Sequence, residues 1–196
     1  ALLPGSMASW WAFIEPSSGR VAGAGCIQYL RRDAAAPEDL ESLVGNPVEI
    51  GWRLHPDFWR QGLASEAARG MAAFAFERFP IPELLAVRHP DNVESGRVMD
   101  RLGMRQRGLE PWYGTTVATH VLSRAEWLRS VGRDPFNELV IPATGVKLLQ
   151  WTGRAIRTEE DRAQVICYDK RLTQTSYGKR MLAGLPAYKL GTRALG

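Results

Sequence analysis

At 196 residues, with 45% hydrophobic and 23% charged residues, the chain is long enough for one domain with its own core and an appendage. No apolar run reaches the ~20 residues that a transmembrane helix needs, and no basic segment followed by an apolar one marks a signal peptide. Cys26 and Cys167 are too few and too far apart for a disulfide framework, which favours free thiols in a reducing cytoplasm. We therefore expect a cytoplasmic protein without a membrane partner.

The formal net charge of +4 is distributed unevenly along the chain. Residues 1–131 carry 14 arginines and no lysine against 15 acidic residues, a balance of −1, whereas residues 132–196 carry 7 arginines and 4 lysines against 6 acidic residues, a balance of +5. This break predicts a domain at 1–131 and a basic extension at 132–196. A basic surface attracts acidic partners such as RNA, but no aromatic and basic motif organises this one, so we expect a solvated surface and no nucleic-acid partner.

Short apolar runs separated by turns begin the chain. Residues 10–14 and 21–30 are typical of two antiparallel strands, because the segment between them has the composition of a tight turn. Residues 31–47 are polar, which predicts a loop with one helical turn. The apolar run Val48–Leu54 predicts the next strand, and Pro56-Asp57-Phe58-Trp59-Arg60-Gln61-Gly62-Leu63-Ala64 follows it.

Apolar residues at helical spacing predict a helix over residues 65–79, with Ser65 as its N-cap. A strand, a short loop with a glycine and a helix N-terminus together form an anion site, because the first N–H groups of a helix have no partner inside it. Gly62 and Ala64 have little or no side chain, so a ligand can approach the backbone closely. The sequence therefore predicts a phosphate or pyrophosphate site at this loop.

The next segments continue the alternation of strands and helices. Residues 83–89 predict a second buried strand, and residues 95–102 a short helix that Gly103 ends. Residues 105–108 and 115–123 predict the last two strands, and residues 124–127 a closing turn.

The sequence presents, in this order, a strand, a glycine loop, a helix, a strand, Asn92-x-x-Ser95, a helix and Leu102-Gly103-Met104. This order resembles the acyl-CoA core of the GNAT superfamily of N-acetyltransferases, and within it the RimJ/RimL type. The resemblance covers roughly residues 10–127. It implies an α/β (α+β) acyl-CoA N-acyltransferase fold, in which helices flank a mixed, mostly antiparallel sheet. It also implies direct transfer of acetyl from acetyl-CoA to a primary amine, either a protein N-terminus or a small amine.

A complete family member has a further strand and one or two helices before the point that corresponds to Trp10, and we expect this chain to lack them. Those helices normally help to form the acceptor pocket. The alternative function is therefore a non-catalytic acyl-CoA-binding module, or a truncated remnant that a homodimer stabilises.

By the same resemblance, the backbone of Leu54 would pair with the pantetheine arm and the 59–64 loop would hold the pyrophosphate, while Asn92 and Ser95 would supply a second contact. The loop residues are Trp59, Arg60, Gln61, Gly62, Leu63 and Ala64. An ordinary strand-to-helix turn would explain the same loop without a ligand. Asn92 and Ser95 are also typical helix caps, so capping is the alternative role for both.

Glu49 and Tyr113 are the candidate catalytic residues. Glu49 alternates with Val48 and Ile50 in a strand, so it points to the opposite face, where partial burial would raise its pKa and suit a general base. Tyr113 lies before the last strand, where the family often has a tyrosine that protonates the leaving thiolate. The alternatives are a solvated or Arg53-paired Glu49 and an ordinary interface aromatic at Tyr113. The histidines and cysteines lack metal-ligand spacing, so we expect no metal.

The extension at 132–196 carries no family motif that we identify. Residues 146–151 are compatible with a strand, and residues 158–172 with a helix that Thr158 and Asp161 would cap. These two elements would replace the missing N-terminal ones, as in a circular permutation or a swap between subunits. An unrelated or poorly ordered extension is the alternative that we favour, with loose order over residues 177–196.

Overall fold

The computed structural model describes residues 9–33, 43, 45–154, 165–186, 189 and 191. These residues divide into two units, Ala1–Val131 and Gly132–Gly196. Each unit is described by itself below.

The described residues of the first unit form six strands and three helices. The strands are β1 (Ser9–Ile14), β2 (Val21–Tyr29), β3 (Val48–Leu54), β4 (Glu83–Arg88), β5 (Arg105–Trp112) and β6 (Thr115–Ser123). The helices are α1 (Leu63–Arg78), α2 (Val93–Arg101) and α3 (Arg124–Ser130), and a short 3-10 turn at Pro56–Phe58 precedes α1.

The strands form one mixed sheet in the order β1-β2-β3-β4-β6-β5. All neighbours pair antiparallel except β3 and β4, which are parallel. Parallel neighbours need a long crossover connection, and α1 provides it. The fold is therefore the mixed, mostly antiparallel α/β (α+β) architecture that the sequence predicts.

Helices α1 and α2 pack on one face of this sheet. A Cβ placed on Gly25 of β2 would lie 2.7 Å from Met71 Sδ of α1, and one placed on Gly96 of α2 would lie 3.1 Å from Arg88 Nε of β4. Gly25 and Gly96 thus allow helix and sheet to approach closely. The opposite face carries a buried cluster, which consists of Leu30, Leu85, Trp112, Val117 and Val121.

Both predicted helices exist, but their N-termini lie earlier than the sequence pattern indicates. The first begins at Leu63 with Gly62 as its N-cap, so the prediction of Ser65 as the N-cap is wrong. Ser65 is buried inside the helix, and its Oγ accepts a hydrogen bond from Arg101 Nη1 at 3.3 Å. The second begins at Val93 rather than at residue 95.

Helices are the regular elements of the second unit among its described residues. A π-helical turn at Phe136–Val140 leads into α4 (Ile141–Arg154), and α5 (Arg171–Gln174) and α6 (Ser176–Ala183) follow. The predicted strand at 146–151 is wrong, because these residues lie inside α4. Thr158 and Asp161 lie outside the described residues, while residues 165–169 are not helical, so that end of the predicted helix is wrong.

Residues 177–183, where we expect loose order, form most of α6 instead. Thr175 caps this helix by accepting a hydrogen bond from the Gly178 N–H at 3.1 Å. Across the described part of the chain, no helix combines the length and the apolar character that crossing a membrane requires.

Candidate active site

The two parallel strands diverge at the centre of the sheet. Their register pair is Glu49 of β3 with Leu85 of β4. Beyond this pair, β3 continues to Leu54 and stays paired with β2, while β4 continues to Arg88 and stays paired with β6. Among the described residues no further pairing joins β3 to β4, so backbone groups on their facing edges border a gap. We call this gap the β3–β4 cleft, and the pair of Glu49 and Leu85 forms its narrow end.

The loop between β3 and α1 lies at the open end of this cleft. Buried Phe58 anchors it, and the indole Nε1 of Trp59 donates to the Leu54 carbonyl at 3.0 Å. Gln61 Nε2 donates to the Asp57 carbonyl at 2.8 Å. These two side-chain bonds fix the path of the loop, and the Trp59 bond occupies one acceptor site on the Leu54 carbonyl.

Two positive φ angles turn this loop into the helix. Arg60 has φ of 61° and Gly62 has φ of 83°, in the left-handed region that favours glycine. The Gly62 carbonyl accepts from the amides of Ser65 and Glu66 at 3.0 and 3.1 Å, so the first hydrogen-bonded turn of α1 starts there. The amides that precede this turn, including Leu63 and Ala64, belong to the part of a helix that attracts anions.

The N-terminus of α2 follows β4 on the other side of the cleft. Asn92 is its N-cap, and Asn92 Oδ1 accepts from the Ser95 N–H at 3.1 Å. The capping role of Asn92 is therefore present in the structure, and Ser95 lies in the first turn rather than at the cap. Helices α1 and α2 thus start after adjacent parallel strands, at the sheet edge where ligands of open α/β sheets bind.

A buried carboxylate lies at the narrow end of the cleft. Glu49 is 5% exposed, and its Oε1 accepts hydrogen bonds from the Tyr113 hydroxyl and from Gln28 Nε2, the latter at 2.8 Å. Gln28 Nε2 also donates to the Tyr113 hydroxyl at 2.9 Å. The structure thus brings the two candidate catalytic residues into direct contact. It does not pair Glu49 with Arg53 by a hydrogen bond or salt bridge among the described residues.

The backbone around Tyr113 orients this phenol. Tyr113 has φ of 56°, an uncommon conformation for a bulky residue. Its N–H donates to the Arg31 carbonyl at 2.9 Å, and the N–H of Gly114 donates to the Arg32 carbonyl at 2.8 Å. The segment after β2 therefore holds the β5–β6 turn in place and directs the Tyr113 side chain towards β3.

Burial dominates the protonation of this cluster. The pKa of Glu49 is raised because burial penalises the carboxylate, while hydrogen bonds from Gln28 and Tyr113 and the charge of Arg31 oppose the rise. Burial and the Glu49 charge raise the pKa of Tyr113 far above its ordinary range. The same two causes raise the pKa of the Cys26 thiol to about 11, so that thiol stays protonated at neutral pH.

The two histidines near the cleft have local structural roles. His55 Nδ1 accepts from the Asp57 N–H at 3.3 Å, and His89 Nδ1 accepts from the Asp91 N–H at 3.3 Å. Sequence reasoning did not identify Gln28 as part of the site. The antiparallel register of β2 and β3, which places Gln28 opposite Glu49, is the signal that would have shown it.

Two family models match this chain in different places. Residues 4–105 match the model of the acetyltransferase (GNAT) domain. Residues 113–188 match the model of the helicase C-terminal domain, a similarity that the sequence analysis missed. The confinement of all four lysines to residues beyond 131 is the compositional feature that sets this part of the sequence apart.

Among solved structures, the fold is similar to aminoglycoside acetyltransferase AAC(6')-Ib in complex with coenzyme A, with a TM-score of 0.53 and 14% identity over 65% of this chain and 72% of that one. It is also similar to the ribosomal-protein-S5-alanine acetyltransferase of Vibrio fischeri, with a TM-score of 0.48 and 12% identity over 62% and 64% of the two chains. At 14% identity the likeness to the aminoglycoside acetyltransferase concerns the fold alone.

The curated relatives that the chain resembles are DNA helicases. The ATP-dependent DNA helicase DinG of Escherichia coli (strain K12) is 40% identical over 70 residues, which are 36% of this chain and 10% of the helicase. DinG of Photobacterium profundum is 30% identical over 118 residues, which are 52% of this chain and 17% of that helicase. The chain thus spans about a tenth to a sixth of the length of these relatives.

Proposed function

Because the chain belongs to the GNAT acetyltransferase family, we propose that its first unit transfers an acetyl group from acetyl-CoA to a primary amine by direct attack. The observation that carries this proposal is the β3–β4 cleft, at whose narrow end Glu49 lies in contact with Tyr113. The cleft gives an extended ligand unpaired backbone groups to bind. Glu49 and Tyr113, which we call the dyad, would give the reaction a base and an acid at one place.

We assign the cofactor to the cleft and to the loop above it. The Leu54 backbone would pair with the pantetheine arm, and the amides of the 60–64 segment would bind the pyrophosphate. The small residues Gly62 and Ala64 and the positive φ of Gly62 fit this role, since they leave the helix N-terminus accessible. Asn92 and Ser95 would face the other side of the arm, with Asn92 keeping its role as the helix cap.

Acetyl-CoA supplies the thioester that the amine attacks, so the enzyme needs no covalent intermediate of its own. In the proposed reaction Glu49 accepts the proton that the amine loses as its bond to the acetyl carbon forms. Tyr113 donates its proton to the sulfur as the carbon–sulfur bond breaks. The hydrogen bond between them then returns the proton from Glu49 to Tyr113, which restores both residues for the next turnover.

The acceptor that we propose is a protein N-terminus, as in the RimJ/RimL type, or a small amine. Such an amine must enter deprotonated or lose its proton at the site. A carboxylate that burial keeps basic is suited to accept it. We place the reaction in the cytoplasm, because Cys26 and Cys167 are both free thiols, as in a reducing compartment.

Calorimetric titration with acetyl-CoA, followed by a thiol-release assay over a panel of amines and N-terminal peptides, tests this function. Binding with turnover supports the enzyme, and Glu49→Gln should then abolish turnover while it preserves binding. Absence of binding at millimolar acetyl-CoA would refute the cofactor assignment. The matched control is Glu77→Gln, which removes an exposed carboxylate from the C-terminal part of α1.

The alternative from the sequence is an acyl-CoA-binding module or a remnant that a homodimer stabilises. The observation that favours a dimer is strand β1, which lies at one edge of the sheet formed by the described residues and exposes Trp10 at 68% and Ile14 at 53%. An exposed edge strand with apolar side chains can pair with a second copy. Binding without turnover on a broad panel, together with a dimeric mass in light scattering, would favour this alternative over the enzyme.

The second unit supports a second candidate function, which is contact with nucleic acid. The similarity of residues 113–188 to a helicase C-terminal domain favours it over the solvated surface that we expect from the sequence. The net charge of +5 over residues 132–196 would also favour nucleic-acid binding, because basic side chains that contact phosphates release the counterions bound to the nucleic acid. Because the chain spans only a small part of the length of the helicases, we do not propose that it has helicase activity.

Fluorescence titration of a single-stranded oligonucleotide at several salt concentrations tests the second candidate. We expect the affinity to fall steeply with salt, and the double variant Arg154→Gln, Lys179→Gln to reduce the slope by roughly two, about one unit for each phosphate contact removed. Arg69→Gln, which removes an exposed charge from α1 of the first unit, is the control. Salt-independent or undetectable binding would overturn this candidate.

A further inference from the structure

Gln28 occupies a central place in the cluster around Glu49, although sequence reasoning gave it no role. It lies on β2 directly opposite Glu49 of β3 in the antiparallel register, so the two side chains share one face of the sheet. Its amide nitrogen donates to Glu49 Oε1 at 2.8 Å and to the Tyr113 hydroxyl at 2.9 Å. The Tyr113 hydroxyl in turn donates to Glu49. The three side chains therefore form a closed triangle of hydrogen bonds.

We infer that Gln28 is a positioning residue of this site, whose amide holds the Glu49 carboxylate and the Tyr113 phenol in the orientation that proton transfer between them requires. Its catalytic meaning rests on the proposed acetyl transfer. The positioning itself is a property of the folded chain and can be measured without any substrate.

The hydrogen-bonding capacities of the three groups lead to this inference. An ionised carboxylate only accepts, and a phenol has a single hydrogen, which it gives to Glu49. The phenol oxygen can then still accept a bond, and the side-chain amide of Gln28 carries two hydrogens, one for each partner. Without Gln28 the buried carboxylate would lose one of its two side-chain donors, and the phenol would lose the bond that fixes its position against β2.

The remaining groups around the dyad do not replace this amide. Arg31 acts on Glu49 through its charge, and its buried Nε has no hydrogen-bond partner among the described residues. Cys26, on the same face of β2, is a protonated thiol that donates weakly at best. The backbone bonds of the Tyr113 turn fix its main chain and direct the side chain towards β3, but they make no bond to the phenol hydroxyl. Gln28 is therefore the side chain that orients both partners at once.

The test is a titration of the Glu49 carboxyl carbon by NMR in the whole, ligand-free protein, with Glu49→Gln identifying its signal. Gln28→Met keeps the length and volume of the side chain and removes both donors. We expect the Glu49 titration to move to higher pH in Gln28→Met, because a hydrogen bond to the charged form is lost. Gln106→Met, a matched change at an exposed position of β5, should leave this titration unchanged.

Activity provides the second readout. In Gln28→Met the acid limb of the pH profile of kcat/KM should move in the same direction, and kcat should fall by roughly tenfold to a hundredfold through misorientation. The Kd for acetyl-CoA should change by less than about twofold, which also reports that the variant is folded. Gln28→Asn, whose shorter side chain cannot reach both partners, should show the same effects if Gln28→Met proves unstable.

Two results separate this inference from the proposed function. A moved Glu49 titration in a protein that shows no turnover supports the positioning role and counts against acetyl transfer. An identical Glu49 titration in wild type, Gln28→Met and Gln28→Asn overturns the positioning role, even if the wild type is an active acetyltransferase.

Discussion

Tyr113 donates a hydrogen bond to Glu49, although the two residues are 64 positions apart in the sequence. The contact joins the turn after β5 to the strand β3, at the point where β3 and β4 begin to diverge. Each residue changes the pKa of the other: the phenol lowers that of the carboxylate, and the carboxylate raises that of the phenol. The hydrogen bond therefore opposes the rise that burial causes in the pKa of Glu49, and it keeps the proton on Tyr113, which suits base and acid roles respectively.

Tyr113→Phe should reduce kcat by roughly a hundredfold, because general acid catalysis typically contributes 10² or more. The affinity for acetyl-CoA should stay within about twofold of wild type, since the loop at 59–64 is unchanged. The acid limb of the kcat/KM profile should also move to higher pH, because Glu49 loses a donor. Tyr177→Phe in α6 is the matched control, and equal activity of the two variants would argue against Tyr113 as the acid.

Glu49→Gln should increase the free energy of unfolding at neutral pH. Burial raises the folded-state pKa of Glu49 above its unfolded value, so folding binds a proton more tightly and the stability from this group is present at low pH. That stability is lost as the pH rises from about 4.5 through the folded-state pKa. The amide that replaces the carboxylate in this variant carries no charge and escapes this loss.

Urea denaturation of wild type and Glu49→Gln at several pH values measures this difference. The two curves should converge below pH 4.5 and separate as the pH rises. Glu94→Gln, an exposed carboxylate on α2, should show no such separation. A variant that is less stable than wild type at neutral pH would mean that the carboxylate contributes more as an ion than burial costs.

The strands and the two central helices could be predicted from sequence because their apolar periodicity is local. The helix starts could not, since Gly62 and Asn92 are selected by backbone geometry and capping rather than by the apolar pattern. The contact between Glu49 and Tyr113 depends on strand order, which no local pattern encodes. In the extension, residues 146–151 are compatible with a short strand, but the spacing of three between Val146 and Leu149 is helical, and both lie in α4.

Gly62→Ala should weaken acetyl-CoA binding and lower stability by about 1 kcal/mol, because a left-handed conformation costs roughly 1–2 kcal/mol for a residue with a Cβ. No atom lies within 4 Å of the position of that Cβ, so the backbone conformation and not a clash is the cause. Relaxation of the loop to negative φ would move the amides of Leu63 and Ala64 away from the anion position. Calorimetry with acetyl-CoA measures the affinity.

Gly70→Ala is the control for this change in the same helix. It also has no atom within 4 Å of its Cβ, and its φ is negative, so it should raise stability by about 0.5–1 kcal/mol and leave the affinity unchanged. An equal loss of affinity in both variants would indicate that α1 as a whole, rather than the turn at Gly62, governs binding.

Ser123→Ala should lower the free energy of unfolding by about 1 kcal/mol at neutral pH, because it removes the N-cap of α3. Ser123 and Glu126 form a capping box, in which the Ser123 hydroxyl and N–H both donate to Glu126 Oε2, at 2.6 and 2.9 Å. These bonds, with Arg105, lower the pKa of Glu126 to about 2. Because the pKa of Glu126 is lowered on folding, this stabilisation is present above about pH 4.5 and is lost as the pH falls towards 2.

The difference in stability between wild type and Ser123→Ala should therefore shrink as the pH falls from 4.5, since protonation of Glu126 weakens the box in wild type alone. Chemical denaturation at pH 7 and at successively lower pH measures it. Ser130→Ala is the control, because its hydroxyl donates to the Trp127 carbonyl at the other end of α3 without involving a carboxylate. A difference that is constant with pH would show that the hydroxyl acts only through the amide of Glu126, which donates to it at 3.2 Å, and not through the carboxylate.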